Sequence, residues 1–409
     1  MHASVCRWLS PALFAVLSSC GAPRGPSALA EAHPPAQLTA GGEASISPAE
    51  EPSKVRIWED PFTDPPDDVE RMAAEFEPVE RLLLGWHGGN WEYLDFFADL
   101  LKIVTPDVSA LVAVEDPEEE VLLRQALYDA GVDVSRLDFA VHPLDSMWIR
   151  DYGPVFARTR DGGLRVVDLP YHGDRWRDDQ YPLDFAHRVS LPISRPAMEL
   201  EGGHIQTDGT GRCVITDDVL VRNEGFLYQE SDVRRLLDQY LGCHDVTIVP
   251  AVHGEETGHL DVFAYVTGPS RIVVGRYLAE EDPYNAHRLN QAAARLRAAG
   301  WEVTRIRMPD HEGRVVFRTH TNVLVTDHTV VVPIFRRDRR FERQALRAFR
   351  RAFPTRRVVG LYADGVMSLA GAVHCTTVTV PRMSAPRMTA PPIGGPHGTT
   401  LPHADAHHL

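Results

Sequence analysis

Cysteine is scarce, with five residues in a chain of 409. That supply is too thin for the disulfide framework on which small exported domains rely, so the fold must rest on a hydrophobic core. Long apolar runs are missing as well. Beyond the N-terminus, no stretch approaches the roughly 20 residues that a membrane-spanning helix requires. Positive charge is not in excess either. The formal net charge is −15, which argues against a nucleic-acid partner and leaves ordinary solubility or a cationic ligand to account for it. Part of this acidity is concentrated between Glu43 and Glu80. What is present is the composition of a globular enzyme, 44% hydrophobic and 24% charged. The length suits one large domain or two ordinary ones.

The first residues read as an address rather than as fold. Arg7 precedes the short apolar run Trp8 to Leu17, which ends in Leu17-Ser18-Ser19-Cys20-Gly21. This ending resembles a bacterial lipobox, in which Cys20 would take the lipid; a plain signal peptide cleaved nearby is the alternative. Both predict export to the periplasm or cell envelope, with membrane contact only through an N-terminal lipid anchor. The expected organisation is a signal over 1–20, a flexible acidic, Pro/Ala-rich linker over 21–66, a catalytic domain over 67–382 and a flexible His-rich tail over 383–409. Cys6 leaves with the signal, so Cys213, Cys243 and Cys375 remain. Cys213 and Cys243 flank one predicted module and are either bonded to each other or free. An odd thiol in an oxidising compartment stands out.

Three stretches repeat one order of elements. An apolar hairpin from Glu199 leads to a helix from near Ser231 to Gly242 and the strand Val246 to Pro250. A second, from His259 to Gly275, leads to a helix over about Asn285 to Ala299 and the strand Val303 to Met308. A third, from His320 to Val332, leads to an Arg-rich helix over about Arg340 to Phe353 and the strand Arg357 to Leu361. Gly or Pro closes each helix, and β-branched residues fill each strand. Earlier, Leu94, Phe97, Leu101 and Val104 form one helical face. Asp116-Pro117 reads as a helix start, with Gly131 past its end. Repeats of roughly fifty to sixty residues suggest modules arranged around an axis.

Compact runs of reactive side chains sit at corresponding places in this pattern: Trp148 to Pro154, Glu199 to Gly203, Gly258 to Asp261, His320 to Asn322, and Gly371 to Cys375. Together they hold a thiol, an imidazole and several carboxylates. A guanidinium ion is planar, cationic and a poor electrophile. Its hydrolysis calls for carboxylates to pair the N–H fork, a soft nucleophile for the carbon, and an acid–base group for the departing ammonia. Cys375, His259, Asp151, Asp261 and Glu201 are residues of those types.

The set resembles the agmatine deiminases and bacterial peptidylarginine deiminases of the pentein superfamily. The likeness runs from Met72-Ala73-Ala74-Glu75-Phe76-Glu77-Pro78 to about Pro381, through Trp148-Ile149-Arg150-Asp151-Tyr152-Gly153-Pro154, Leu200-Glu201-Gly202-Gly203 with Asp208-Gly209, Gly258-His259-Leu260-Asp261, Asn322 and His374-Cys375. It implies an α/β fold of five ββαβ-type blades around a pseudo-fivefold axis. It implies Cys375 as nucleophile, His259 as acid–base, Asp151 and Asp261 gripping the guanidinium, Trp148 against it, and Glu201 and Asn322 lining the pocket. No cofactor or metal is implied, and no metal-ligand spacing is evident along the chain. The family usually has Gly-Gly where this chain has Ala370-Gly371.

Export favours arginine at a peptide C-terminus, or free arginine, as substrate; agmatine, giving N-carbamoylputrescine, is the alternative. In Tyr171-His172-Gly173-Asp174-Arg175-Trp176-Arg177-Asp178-Asp179, Arg175 and Arg177 alternate along what reads as an extended loop. The segment resembles the one by which bacterial peptidylarginine deiminases hold a C-terminal carboxylate. A surface loop salt-bridged by its own aspartates is the other reading. Two rival functions remain. An inactive guanidinium-binding lipoprotein would not need the thiol, and a papain-type hydrolase would need a helix behind Cys375 and a later His. Cys375 instead lies in a strand-like run, after His259.

Overall fold

The structure is a computed structural model, and it describes residues 62–172, 174–309, 316–336, 339–367 and 371–383. The signal, Cys20, most of the linker, the tail from residue 384 and Ala370 lie outside the described residues. The described strands fall into five separate sheets in a mixed α/β fold.

Three sheets follow the repeat legible in the chain. Ile205–Thr207 and Arg212–Thr216 pair antiparallel, the helix Glu230–Leu241 crosses over, and Asp245–Val249 returns parallel to the second hairpin strand. The order recurs in Ala264–Gly268, Arg271–Arg276, the helix Pro283–Ala298 and Glu302–Arg307. It recurs again in Leu324–Val325, Thr329–Ile334, the helix Arg339–Ala352 and Arg357–Tyr362. A parallel return needs a crossover, and the helix supplies it while covering the sheet. Every residue of Thr329–Ile334 is buried, as expected of a strand covered on both faces.

Two further sheets keep the plan with additions. Val155–Thr159, Leu164–Val167, the helix Trp176–Val189 and Ile193–Ser194 form one, with Val69–Met72 added antiparallel at its edge. In the other, Val378–Pro381, late in the chain, pairs antiparallel with the early strand Val79–Gly85. The helices Leu94–Val104 and Pro117–Asp129 then lead to the parallel strands Ser109–Val114 and Leu137–Val141.

Local chemistry accounts for the boundaries. The Asp116 carboxylate accepts from Glu119 N at 2.8 Å, Pro117 opens the helix, and three glutamates in its first turn face the positive end of the dipole. Phe97, Leu101 and Val104 are buried on the face of Leu94–Val104 that the periodicity marks. Gly242 ends its helix at φ 63°, where a Cβ would sit 2.5 Å from Glu70 O, so only glycine fits. Directly after it, Cys243 forms a disulfide with Cys213, the Cα atoms 5.5 Å apart. The bond ties the middle strand of its sheet to the entry of the returning one, and both cysteines are buried.

Candidate active site

Each reactive run lies immediately before the first hairpin strand of a module. Asp151 precedes Val155–Thr159, Glu201 precedes Ile205–Thr207, His259 and Asp261 precede Ala264–Gly268, Asn322 precedes Leu324–Val325, and Cys375 precedes Val378–Pro381. Cys375 is therefore in a turn, not in the strand-like run expected, because the strand ladder begins only at Val378.

Close backbone approach brings these turns together. The short helix Ile149–Tyr152 carries Arg150 and Asp151, and Arg150 N donates to Cys375 O at 3.1 Å. A Cβ on Gly202 would sit 2.1 Å from Arg150 O, one on Gly203 would sit 2.4 Å from His259 Nδ1, and one on Gly371 would sit 2.1 Å from the half-buried Trp148 ring. Asn322 joins three of the groups. Its Oδ1 accepts from His374 N at 2.8 Å and Cys375 N at 3.2 Å, and its Nδ2 donates to Cys375 Sγ at 3.0 Å. Cys375 Sγ lies 3.6 Å from Asp261 Oδ2. His259 Nε2 donates to Glu201 Oε2 at 2.7 Å, and its Nδ1 lies 3.6 Å from Asp151 Oδ1. Asp151 Oδ1 and Asp261 Oδ1 are shut off from solvent and have no hydrogen-bond partner among the described residues.

Charge is divided sharply within this space. Burial lowers the proton affinity of His259, but the carboxylates of Asp151 and Glu201 outweigh it and push its pKa up to about 10, so it rests as an imidazolium. Burial pushes Asp151 up to about 7, with Glu201 and Asp261 adding to the rise. Burial acts against ionisation of Glu201 too, yet its bonds to His172 and His259 hold it well below the usual range. Asp261 is likewise lowered, since pairing with His374 overcomes its burial. The Cys375 thiol is raised by burial and then by Asp261 and Asp151. Each carboxylate thus keeps one buried oxygen, Asp151 Oδ1 and Asp261 Oδ1, without a hydrogen bond, beside a protonated imidazole and a neutral thiol.

The segment from Tyr171 to Asp179 differs from the expected extended loop: Trp176–Val189 is a helix, with Asp178 and Asp179 in its first turn and Pro182 in its interior. Residues two apart on a helix point roughly 200° apart, so Arg175, just before it, and Arg177 within it do not share a face. Arg175 donates to Tyr171 OH at 3.1 Å, whereas Arg177 turns to Asp145 at 3.6 Å. Asp178 and Asp179 do not pair with these arginines but turn inward. Asp178 accepts from Asp145 N and Ser146 Oγ, and Asp179 accepts from Tyr171 N and Arg195.

Several contributors escaped the reading of the chain. His172 Nε2 reaches Glu201 Oε1 at 3.1 Å, and Arg222 donates to the same oxygen at 2.6 Å. Glu75 and His374 lie in quoted motifs, but nothing in the chain told that they touch. Glu201, His204 and His259 offer ligand atoms within 4.8 Å of one another, a grouping that the linear spacing conceals. Its nitrogens are already engaged: His204 by Glu201 N, Thr257 O and Asp218, and His259 by Glu201 and a proton.

A family model described as Porphyromonas-type peptidyl-arginine deiminase matches residues 71–381. A Streptomyces coelicolor protein provisionally named agmatine deiminase is 27% identical over 351 residues, covering 76% of this chain and 99% of its own. A Marinomonas protein under the same provisional name is 23% identical over 369 residues, covering 78% and 97%. Among solved structures, an agmatine deiminase of Enterococcus faecalis superposes with a TM-score of 0.67 at 21% identity, covering 76% of this chain and 96% of that one. A provisionally named arginine deiminase of Porphyromonas gingivalis gives 0.67 at 22% identity, covering 76% and 99%. At such identities the structural likeness speaks for the fold.

Proposed function

The chain belongs to the Porphyromonas-type peptidyl-arginine deiminase family, and from that premise we propose that it is an exported enzyme converting an arginine-type guanidinium to a ureido group and ammonia through a covalent intermediate on Cys375. Membership makes it a guanidino-group deiminase of the agmatine/peptidylarginine type, a hydrolase of C–N bonds. The observation that carries the finer reading is the pair of unpartnered oxygens, Asp151 Oδ1 and Asp261 Oδ1, beside Cys375 and His259. A guanidinium brings the donors that both oxygens lack and the positive charge that both favour.

In this reading Asp151 and Asp261 hold the cation with its carbon before Cys375 Sγ. The sulfur attacks, and the tetrahedral centre expels one nitrogen as ammonia. His259 gives that nitrogen a proton and is left neutral, and the thiol proton departs with the ammonia as ammonium. What remains on sulfur is a thiouronium. Water adds to it with His259 as base, the C–S bond breaks, and the ureido product leaves with the thiol restored. Trp148 bounds the pocket, while Glu201 and Asn322 hold His259 and Cys375 in line. The family likeness and the repeated order of elements also support five blades about a pseudo-fivefold axis, with residues 67–382 as the catalytic domain.

For the substrate we favour an arginine bearing a free carboxylate, either C-terminal in a peptide or free. Arg175, His172 and Arg222 gather positive charge beside Glu201, and the hydrogen bond to Glu201 raises the proton affinity of His172. Such a rim favours a carboxylate and disfavours the second cation of agmatine. The names of the relatives favour agmatine as the second reading. Citrulline-type product and ammonia should be assayed with agmatine, arginine and peptides of internal or C-terminal arginine. Arg175→Ala should lower kcat/KM for the C-terminal peptide by roughly ten- to a hundredfold and leave any agmatine turnover nearly unchanged. Equal losses on both would exclude the carboxylate contact.

A further inference from the structure

Behind the proposed site runs a line of buried charge that ends on a residue with no role so far. Asp261 uses only Oδ2 internally, accepting from His374 Nδ1 at 2.6 Å. His374 Nε2 donates in turn to Glu75 Oε2 at 2.7 Å. Glu75 also accepts from Arg150 Nη1 at 2.9 Å and from Tyr265 OH at 3.2 Å. His374 is fully buried. A carboxylate that ends a buried ion-pair line only accepts, so an imidazole flanked by two of them carries both protons.

We propose that Glu75 is a positioning residue for guanidinium binding: by holding His374 as an imidazolium against Asp261, it keeps that carboxylate charged and turned so that Oδ1 faces the ligand. The inference rests on the reading of Asp261 as a guanidinium partner. Without Glu75, the Nε2 proton of the fully buried His374 would face no carboxylate, and burial would favour the neutral ring. Asp261 would then lose the nearest of the cations that offset its burial, leaving His259 and Arg150, and would hold a proton to higher pH than in the parent protein. A protonated carboxyl no longer attracts a cation. Burial opposes ionisation of Glu75, yet Arg150 and His374 hold it at about 2, so it stays charged wherever the enzyme works. A simple strut would behave differently, impairing turnover equally at every pH.

The test compares the full chain with Glu75→Gln and Glu75→Asp by ¹⁵N NMR of the His374 ring, by calorimetry with arginine as probe, and by kinetics across the neutral range. In the parent protein both ring nitrogens should carry protons at neutral pH. In Glu75→Gln the ring should be neutral, arginine binding should weaken and KM rise by about tenfold or more, and the acidic limb of kcat/KM should move to higher pH with kcat little changed. Glu75→Asp keeps the charge and should restore most of the binding. A neutral ring in the parent protein would overturn the inference, as would unchanged binding in Glu75→Gln or a loss confined to kcat at every pH. Should the parent protein deiminate no guanidine at all, the proposed function fails, while the ring protonation and the calorimetry still decide the part played by Glu75.

Discussion

The protonation of Cys375 is set by its company. Asp261 and Asp151 oppose a thiolate, and burial opposes it first, so the resting sulfur holds its proton. For a thiol the charged form is the deprotonated one, so reaction with a neutral alkylating agent should be slow at neutral pH and accelerate as pH rises into the alkaline range. Iodoacetamide inactivation across pH, with the label mapped to the Cys375 peptide, measures this. Inactivation already fast and flat with pH from neutrality upward would refute a raised thiol. Occupation by a guanidinium should alter the rate, because the cation offsets the two carboxylates that hold the thiol neutral. Gly203 shows how fine the placement is, since no side chain could stand between its backbone and the His259 ring.

The candidate catalytic side chains ride on the lead-in turns of successive hairpins, where they can be aimed without disturbing the sheets behind them. The turns are short, those of Asp151, Glu201, His259 and Cys375 carry glycine, and the strands that follow are buried and laddered. The disulfide belongs to the sheet, not to the chemistry. It closes a loop across a sequence separation of 30 residues, a length for which the chain-entropy account gives about 3–4 kcal/mol. Replacing Cys213 and Cys243 together with Ala should lower the unfolding free energy in urea by about that amount while sparing deimination. Loss of activity in a folded double variant would show that the bond shapes the site as well. The helix Trp176–Val189 was concealed by its own residues. Aspartates at its start and Pro182 within it look like a loop, yet Tyr181, Phe185 and Ala186 are buried on one face, and that packing outweighs the weak local preference.

A late strand pairs with an early one in a single sheet, Val378–Pro381 against Val79–Gly85. A buried disulfide suits an oxidising compartment. If the lipobox reading holds, protein recovered from a bacterial envelope should begin at Cys20 and carry a lipid on that residue by mass spectrometry. An unmodified N-terminus further along would indicate ordinary signal cleavage, and an intact Met1 would exclude export. The order of hairpins, helices and returning strands was legible because it depends on neighbours a few residues apart: caps at Asp116 and Gly242, β-branched runs, and one apolar helical face through Phe97 and Leu101. The motifs around Asp151, His259 and Cys375 were legible for the same reason. The contact of Glu75 with His374, 299 positions away, was not. Nor were the turn of Arg177 toward Asp145, the pairing of Val378–Pro381 with Val79–Gly85 and the closeness of His204 to His259. Local propensity acts through bonds along the chain, whereas such pairings depend on where a distant segment returns, and only the packing of one sheet's turns against the next sets that.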